Sequence, residues 1–232
     1  MFLINPYILG GGAVGNPLWN DLLAYYTADN TPNDALGTYN GTLTNGATYG
    51  TGIINQGFSF DGVNDYVDIG NNLDFDGNTP FSFSCWINSN ANTTTIFNKF
   101  QSSGIFPGYA LRIQSSGILK FNLQINNSTD KMIVDSTTAI TSGLKHIVLT
   151  YDGSTDANGV KIYINGVSDT ISIVSNTFGG GLTTSAPFTI GNPIVGSNYF
   201  NGIVDEFGVW DKELTASEVT ELYNSGAGLQ YT

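Results

Sequence analysis

The sequence is poor in charge, cysteine and histidine. Charged residues make up only 11% of its 232 residues, against roughly 25% in an average soluble protein, so Asn, Ser, Thr and Gly must supply most of the surface polarity. The single cysteine, Cys85, excludes an internal disulfide. The single histidine, His146, has no cysteine or second histidine with which to bind a metal, and we expect a structural role for it.

Positive charge is scarcer than negative charge. Seven Lys and Arg residues stand against 19 Asp and Glu residues, which gives a formal net charge of −12. This charge would repel a phosphate backbone and argues against nucleic-acid binding, whereas it would attract calcium. No apolar run approaches the ~18 residues of a transmembrane helix, so we expect no membrane span.

Residues 1–20 are predicted to be an apolar, glycine-rich arm. Residues 2–9 are mostly apolar, three glycines follow them, and Asn16-Pro17 argues against a regular packed element. The segment has no positively charged start, so it is a poor secretory signal. Two interpretations stay open: a docking peptide that buries against another protein, or a first strand or flap of the same domain.

Residues 21–232 are predicted to form one all-β domain. Apolar and polar residues alternate in segments such as 119–125, and Asn165-Gly166 between two such runs indicates a hairpin. Thr215 and Glu218 fit the capping box of one short C-terminal helix, with Gly226 as its stop. About a dozen strands and one helix predict a two-sheet antiparallel jelly-roll sandwich.

Seven short segments, in order along residues 21–226, resemble the laminin-G-like, concanavalin A-like jelly rolls, in particular the bacterial and viral branch related to pentraxins. One departure is Leu144, where that family commonly has a tryptophan two residues before the histidine. The resemblance implies a binding module for glycans or proteins, often with bound calcium. The matching segments are 60–67, 83–87, 146–153, 162–166, 190–191, 200–206 and 214–223.

The acidic turn at residues 61–65 is the candidate metal site. Asp61, Asn64 and Asp65 concentrate the oxygen ligands that calcium prefers, and the resemblance implies that Asp205 lies close to them. The four residues, with backbone carbonyls, would then bind a calcium ion, and we expect Asp61→Ala to lower stability more than Asp65→Ala. The alternative is that Asp61 and Asp65 cap a turn while Asp205 accepts hydrogen bonds from backbone amides.

Four aromatic residues are the candidate ligand contacts. Sugars bind aromatic platforms because ring faces stack on the C–H faces of the sugar. Phe106, Tyr109, Phe178 and Tyr199 lie near loop-like segments and could supply such a platform. For each of them the alternative is a packing role.

Catalysis is not expected. A glycoside hydrolase needs two carboxyl groups that face one cleft, roughly 5 to 10 Å apart. Asp205 and Glu206 are adjacent in a predicted strand and would point to opposite faces. No alternating Glu-x-Asp-x-Glu segment occurs.

The sequence therefore favours a non-enzymatic structural or adhesion module of a virion: capsid decoration, a fibre, or host-surface glycan binding. The family implied by the resemblance works mostly outside cells, no export signal is visible, and the arm is suited to anchoring on other virion proteins. We expect a homo-oligomer that binds a cell-surface glycan or protein. The alternative is an extracellular carbohydrate-binding domain of a larger secreted bacterial protein.

Overall fold

Two antiparallel β-sheets pack face to face in the computed structural model, which describes residues 16–91, 93–193 and 196–231. The predicted two-sheet jelly roll with one short C-terminal helix is confirmed. Most of the predicted arm, residues 1–15, lies outside the described residues. The rest of it includes a 3₁₀ turn at Pro17–Trp19, which the Asn16 side chain caps.

The elements follow one another as short strands with a single α-helix near the end. No helix of the described chain is long and apolar enough to cross a membrane. In chain order the elements are β1 (Leu22–Tyr26), β2 (Thr42–Thr44), β3 (Thr48–Thr51), β4 (Gln56–Asp61), β5 (Tyr66–Asp68), β6 (Phe81–Ser89), β7 (Thr94–Asn98), β8 (Gly108–Ile113), β9 (Ile118–Asn126), β10 (Asp130–Ala139), β11 (Lys145–Tyr151), β12 (Val160–Ile164), β13 (Val167–Ser168), β14 (Ile171–Asn176), β15 (Thr189–Ile190), β16 (Asn201–Trp210) and α1 (Ala216–Tyr223).

Each sheet contains eight strands among the described residues. The first sheet has the order β13-β12-β11-β6-β16-β4-β3, and β1 also pairs with β16. The second sheet has the order β14-β10-β9-β8-β7-β15-β5-β2. Strands that are distant in sequence pair at the centre of the first sheet, as β6 does with β11 and β16, whereas the consecutive strands β7 to β10 lie side by side in the second sheet.

Aromatic rings fill the space between the sheets. Phe83 on β6 stacks on Phe97 on β7 with ring centroids 4.3 Å apart, and it lies parallel to Phe188 at 6.0 Å. Burying a side chain of this size contributes about 1.5–3 kcal/mol. Alternate residues along β8 and along β9 point into the core. The intervening residues of each strand therefore face outward.

The outer face of the first sheet is covered by α1 and by the terminal segments. Val219 and Leu222 of α1 belong to a buried apolar cluster that also contains Val148 of β11 and Trp210 of β16. The Trp210 indole nitrogen donates to the carbonyl oxygen of Leu18 at 2.8 Å. The second sheet carries no such helix on its outer face within the described chain.

The capping box of α1 forms as predicted, but the helix ends earlier than Gly226. Thr215 Oγ1 accepts a hydrogen bond from the Glu218 amide at 3.3 Å, and Glu218 Oε2 accepts one from the Thr215 amide at 2.8 Å. The helix stops at Tyr223 because Asn224 adopts the left-handed conformation, with φ of +47°. Asparagine tolerates this conformation better than most residues, so it can replace glycine as a C-cap.

His146 has a structural environment. It is buried between Trp86 and Tyr223, with ring centroids 5.1 and 6.0 Å away, and its Nε2 lies 2.9 Å from Ser84 Oγ. Burial lowers the pKa of His146 to about 3, so the ring is neutral near pH 7. A neutral, enclosed imidazole stabilises the contact between α1 and the first sheet.

Candidate functional site

A polar groove lies on the outer face of the second sheet. On these strands, side chains such as that of Leu123 point into the core. The side chains of Arg112 on β8 and of Asn122 and Gln124 on β9 therefore project outward. Thr95 on β7 pairs with Arg112 in the strand register. These four outward-facing side chains line the groove, which therefore owes its floor to the alternation of two neighbouring strands.

Two hydrogen bonds hold the floor of the groove in place. Arg112 Nη2 donates to Asn122 Oδ1 at 3.1 Å, and Gln124 Nε2 donates to the carbonyl oxygen of Phe106 at 2.9 Å. Both amide side chains are largely buried. Within the described residues, Asn122 Nδ2 and Gln124 Oε1 make no hydrogen bond, so one donor and one acceptor remain for a ligand.

Two phenyl rings border the floor. Phe100 follows β7, and Phe106 precedes Pro107 at the start of β8. Phe106 has φ of +54°, in the left-handed region, which is unfavourable for a bulky residue and especially for one before proline. Backbone strain of this kind clusters at ligand sites, and here it holds the ring of Phe106 at the groove.

The groove continues into a second cavity. The cavity over Arg112 and Asn122 has a volume of about 300 Å³, and the adjoining one has a volume of about 480 Å³. Phe100 and Pro193 line both. The second cavity is lined mainly by hydroxyl and amide side chains, such as Ser103 and Asn192. Two adjoining cavities that share the apolar residues Phe100 and Pro193 suit an extended ligand better than a compact one.

Of the four aromatic residues predicted as ligand contacts, one lines this groove. That residue is Phe106. Tyr109 is fully buried between the sheets, where its hydroxyl donates to the Leu73 carbonyl oxygen, and Phe178 is also part of the core. Tyr199 is half-buried, and its carbonyl oxygen accepts a hydrogen bond from Thr94 Oγ1 at 2.9 Å. The structure thus gives Tyr109 and Phe178 packing roles.

Sequence reasoning missed Arg112, Asn122, Gln124 and Phe100. The signal for Asn122 and Gln124 was present, because the alternation over 119–125 places them on the face opposite the core. Arg112 is the only arginine of the chain, which could have singled it out. Nothing in the sequence distinguished Phe100 from the core phenylalanines around it.

The predicted metal ligands are brought together only in part. Asp65 Oδ2 accepts a hydrogen bond from the Asp61 amide at 3.1 Å, so these two residues share one turn. The register pairs Asp61 on β4 with Asn201 on β16, four residues away from Asp205. Asn64 contributes its carbonyl oxygen to Asn45 Nδ2 at 2.6 Å. Asp205 therefore does not join the turn.

The carboxylate of Asp205 accepts hydrogen bonds from backbone amides. Its Oδ2 accepts from the amides of Ile53 at 2.8 Å and Ile54 at 3.2 Å, and its Oδ1 accepts from the amide of Glu206 at 2.8 Å. The described residues contain no group of three or more His, Cys, Asp or Glu side chains that could hold a metal ion. The four predicted ligands do not fit one ion as a set, and calcium binding by this chain stays a prediction.

Asp205 and Glu206 do not obey the expected alternation. The strand register shifts between Asp205 and Gly208, and Glu206 has φ of +48°, which marks a β-bulge. Val204 and Phe207 both lie in the core, so both carboxyl groups project from the outer face of the first sheet. The expectation that they point to opposite faces is wrong because a bulge inserts one extra residue.

The two carboxyl groups are enclosed and lie outside the groove. Burial raises the pKa of Asp205 to about 7, and burial together with repulsion from Asp205 raises the pKa of Glu206 to about 8. Glu206 Oε2 accepts from the Tyr25 hydroxyl at 2.6 Å, and Glu206 Oε1 accepts from Gln230 Nε2 at 3.0 Å. Neither carboxyl lines the groove.

A family model matches residues 61–220, and its description is the concanavalin A-like lectin/glucanases superfamily (Laminin_G_3). The chain belongs to this family. The match lies within the domain predicted over residues 21–232 and includes the groove strands β7 to β10. A comparison with curated protein sequences found no match.

Solved structures of this architecture include two kinds of domain. Domain 4 of AbnA, a GH43 extracellular arabinanase from Geobacillus stearothermophilus solved with arabinotriose, is 24% identical; the alignment covers 87% of this chain and 97% of that one, with a TM-score of 0.64. The binding domain of Paraclostridial Mosquitocidal Protein 1 is 19% identical over 90% of this chain and 53% of that one, with a TM-score of 0.67.

A third similar structure is the binding domain of botulinum neurotoxin DC, solved with rat synaptotagmin II. It is 18% identical over 90% of this chain and 52% of that one, with a TM-score of 0.65. The chain thus spans about half the length of the two toxin binding domains and nearly all of the arabinanase domain. At these identities the likeness shows the fold.

Proposed function

We propose that the protein is a non-enzymatic glycan-binding module whose ligand lies in the groove of the second sheet. The observation that carries the proposal is the polar floor, where Asn122 Nδ2 and Gln124 Oε1 have no partner in the described chain and the half-buried Phe106 borders the groove. Amide groups of this kind bind sugar hydroxyls as donor and acceptor. Ring faces stack on sugar C–H faces, and the elongated groove suits a short chain of sugars.

The groove is suited to binding rather than hydrolysis. Among the described residues, Arg112 is the only charged one that lines either cavity. Hydrolysis of a glycosidic bond requires a pair of carboxyl groups at the ligand, and the buried carboxyl pair at 205–206 lies on the other sheet. This arrangement supports a module that binds a glycan without cleaving it.

The comparisons support the same proposal. The family description includes lectins, and the arabinanase domain, which is nearly as long as this chain, was solved with a trisaccharide. The toxin structures are described as binding domains. A protein ligand is the other class that these names suggest, but the concave cavities here, with amide and hydroxyl side chains in their lining, favour an oligosaccharide over a protein surface.

The test is a screen of oligosaccharides by isothermal titration calorimetry, with variants of the groove. Asn122→Ala and Gln124→Ala are expected to weaken binding of any glycan that the wild type binds by at least tenfold. Asn158→Ala is the matched control because Asn158 is exposed and lies outside the groove. Thermal melts of all variants check that they fold. Binding that survives both groove substitutions would overturn the proposed site, and release of shorter sugars would overturn the non-enzymatic assignment.

Two locations are compatible with a glycan-binding module of this kind. We propose that the module acts on the exterior of a virion, in decoration or host adhesion, and that the arm holds it there. The arabinanase domain is part of an extracellular enzyme, which supports the alternative of a carbohydrate-binding domain in a larger secreted protein. The mass of the native chain and its presence in purified particles distinguish the two settings.

A further inference from the structure

We propose that the groove selects acidic glycans, and that Arg112 binds the carboxylate of a uronic or sialic acid unit. This inference rests on the proposed function and names the class of its ligand. Arg112 is the only arginine in a chain with seven basic residues, and it lies on the floor of the groove. The guanidinium group presents a planar fork of donors that matches a carboxylate in two parallel hydrogen bonds.

Arg112 forms no ion pair with a carboxylate of the described chain, although the charge of Asp135 on β10 acts on it from a distance. Four ion pairs occur among the described residues, and Arg112 takes part in none of them. Its one side-chain hydrogen bond there goes to the neutral Asn122. In a chain with 19 acidic residues, a half-buried arginine without a carboxylate is unusual, because burying an unpaired charge is unfavourable.

The nearest acidic side chain of the sheet is already neutralised. Asp135 on β10 lies across from Lys120 on β9, and Lys120 lies across from Arg112 on β8. Lys120 Nζ binds both carboxylate oxygens of Asp135, at 2.8 and 3.1 Å. The pair Lys120–Asp135 adds no net charge next to Arg112, so the positive charge of the guanidinium is available at the groove.

A second cation borders the same face. Lys131 on β10 pairs in register with Gln124, and its ammonium group donates to the carbonyl oxygen of Asn127, a residue at the rim of the groove. Lys120 on this face is neutralised by Asp135, so Arg112 and Lys131 are the two basic side chains of the face that form no ion pair within the described residues. This face contrasts with the strongly acidic chain and would attract an anionic ligand.

The hydrogen bond to Asn122 orients the guanidinium group. One nitrogen is held by Asn122 Oδ1, which leaves the other donors of the fork for the ligand. The free amide atoms of Asn122 and Gln124 lie on the adjacent strand, where they can bind hydroxyl groups of the same sugar or of the next one. The site therefore combines a guanidinium group that binds the carboxylate of the acidic sugar with amide groups that bind hydroxyl groups of that sugar or the next.

The experiment compares ligands that differ only in charge. Oligogalacturonates and the same oligomers with methyl-esterified carboxyl groups are titrated into the wild type, Arg112→Gln and Arg112→Lys; sialyllactose and lactose form a second pair. We expect the wild type to bind the acidic member of at least one pair at least tenfold more tightly, and increasing salt to reduce this preference. Arg112→Gln should bind both members equally, whereas Arg112→Lys should keep part of the preference.

Control variants and further ligands separate the possible failures. Lys145→Gln removes a half-buried cation on β11 of the first sheet, outside the groove, and should leave the preference unchanged. Tight binding of neutral glycans with no effect of Arg112→Gln would overturn the acidic ligand but keep the glycan-binding function. Binding of no glycan of either charge would overturn both. A preference for sulfated over carboxylated oligosaccharides would overturn the assignment of a carboxylate.

Discussion

The Tyr25 hydroxyl lies 2.6 Å from Glu206 Oε2 and 2.9 Å from the Leu229 carbonyl oxygen, and both side chains are buried. A hydroxyl has one proton, so Tyr25 can donate to only one of these oxygens. If Glu206 is protonated, it can donate to Tyr25, and Tyr25 can donate to Leu229. The hydrogen bond from Tyr25 lowers the pKa of Glu206, but burial and repulsion from Asp205 outweigh it and raise this pKa to about 8.

Stability is expected to fall as the pH rises through 7 and 8. Carboxyl groups of an unfolded chain have a pKa near 4, whereas Asp205 and Glu206 have folded-state pKa values of about 7 and about 8. Between about pH 4 and pH 8 the folded state thus binds more protons than the unfolded one. This contribution is fully present below about pH 4 and is lost as both groups ionise.

Glu206→Gln tests this dependence because glutamine imitates the protonated carboxyl. Its melting temperature should match that of the wild type near pH 4 and exceed it near pH 9. Asp211→Asn, which changes an exposed carboxyl, should leave the wild-type dependence intact. Parallel curves for the wild type and Glu206→Gln across this range would contradict the prediction.

Replacing Phe106 should separate stability from binding. Phe106 has a left-handed conformation that asparagine adopts more readily, while its ring borders the groove. Phe106→Asn is expected to keep the melting temperature within a few degrees of the wild type, because relief of strain offsets lost packing. Oligosaccharide affinity should fall several-fold in titrations, and unchanged affinity would show that the ring does not contact the ligand.

The capping box should contribute measurably to stability. Thr215→Ala removes the acceptor for the Glu218 amide and is expected to cost about 1 kcal/mol, or a melting temperature about 2–4 °C lower for a chain of this size. Thr220→Ala is the control because Thr220 is an exposed residue within the same helix. An equal loss in both variants would argue against the cap.

The acidic turn should depend more on Asp65 than on Asp61. Asp65 is buried, and its carboxylate accepts from the amides of Gly46 and Asp61, whereas the exposed Asp61 accepts from the exposed Val63. Asp65→Ala leaves two amides unpaired and is expected to cost about 1–3 kcal/mol, while Asp61→Ala should cost less. This order reverses the expectation drawn from the sequence, and denaturant unfolding of both variants measures it.

Calcium binding is tested by thermal melts in excess EDTA and in millimolar calcium. An ion that binds only the folded state would raise the melting temperature by several degrees. The carboxylate oxygens of Asp205 already accept hydrogen bonds from backbone amides. If the ion binds at the turn, the rise in melting temperature with calcium should therefore persist in Asp205→Asn. No difference between the two melts would leave these carboxylates as hydrogen-bond acceptors alone.

The parts of the fold that depend on local pattern could be predicted. Alternation over 119–125 sets the two faces of β9, and the pair Thr215 and Glu218 sets the start of α1. The bulge at Glu206 could not be predicted, because it depends on the tertiary contacts of its side chain with Tyr25 and Gln230.

The groove could not be predicted from the sequence either, because it depends on tertiary structure. Its residues lie on β7, β8, β9 and β10 and on the loops beside them, so only the register between β7, β8 and β9 brings Thr95, Arg112 and Asn122 together. Tyr109 was predicted at a site from its proximity to a loop, but its position in the alternation of β8 places it in the core.

The two outer faces of the sandwich also determine how the domain can be displayed. Trp19 and Tyr231 lie edge to face with ring centroids 5.4 Å apart, so the segments near both ends of the described chain meet on the first sheet. Residues 18–19 and 229–231 therefore lie on the side opposite the groove. A carrier attached there, whether a particle or another domain, would leave the groove facing outward, and many copies on one carrier could engage a surface at once.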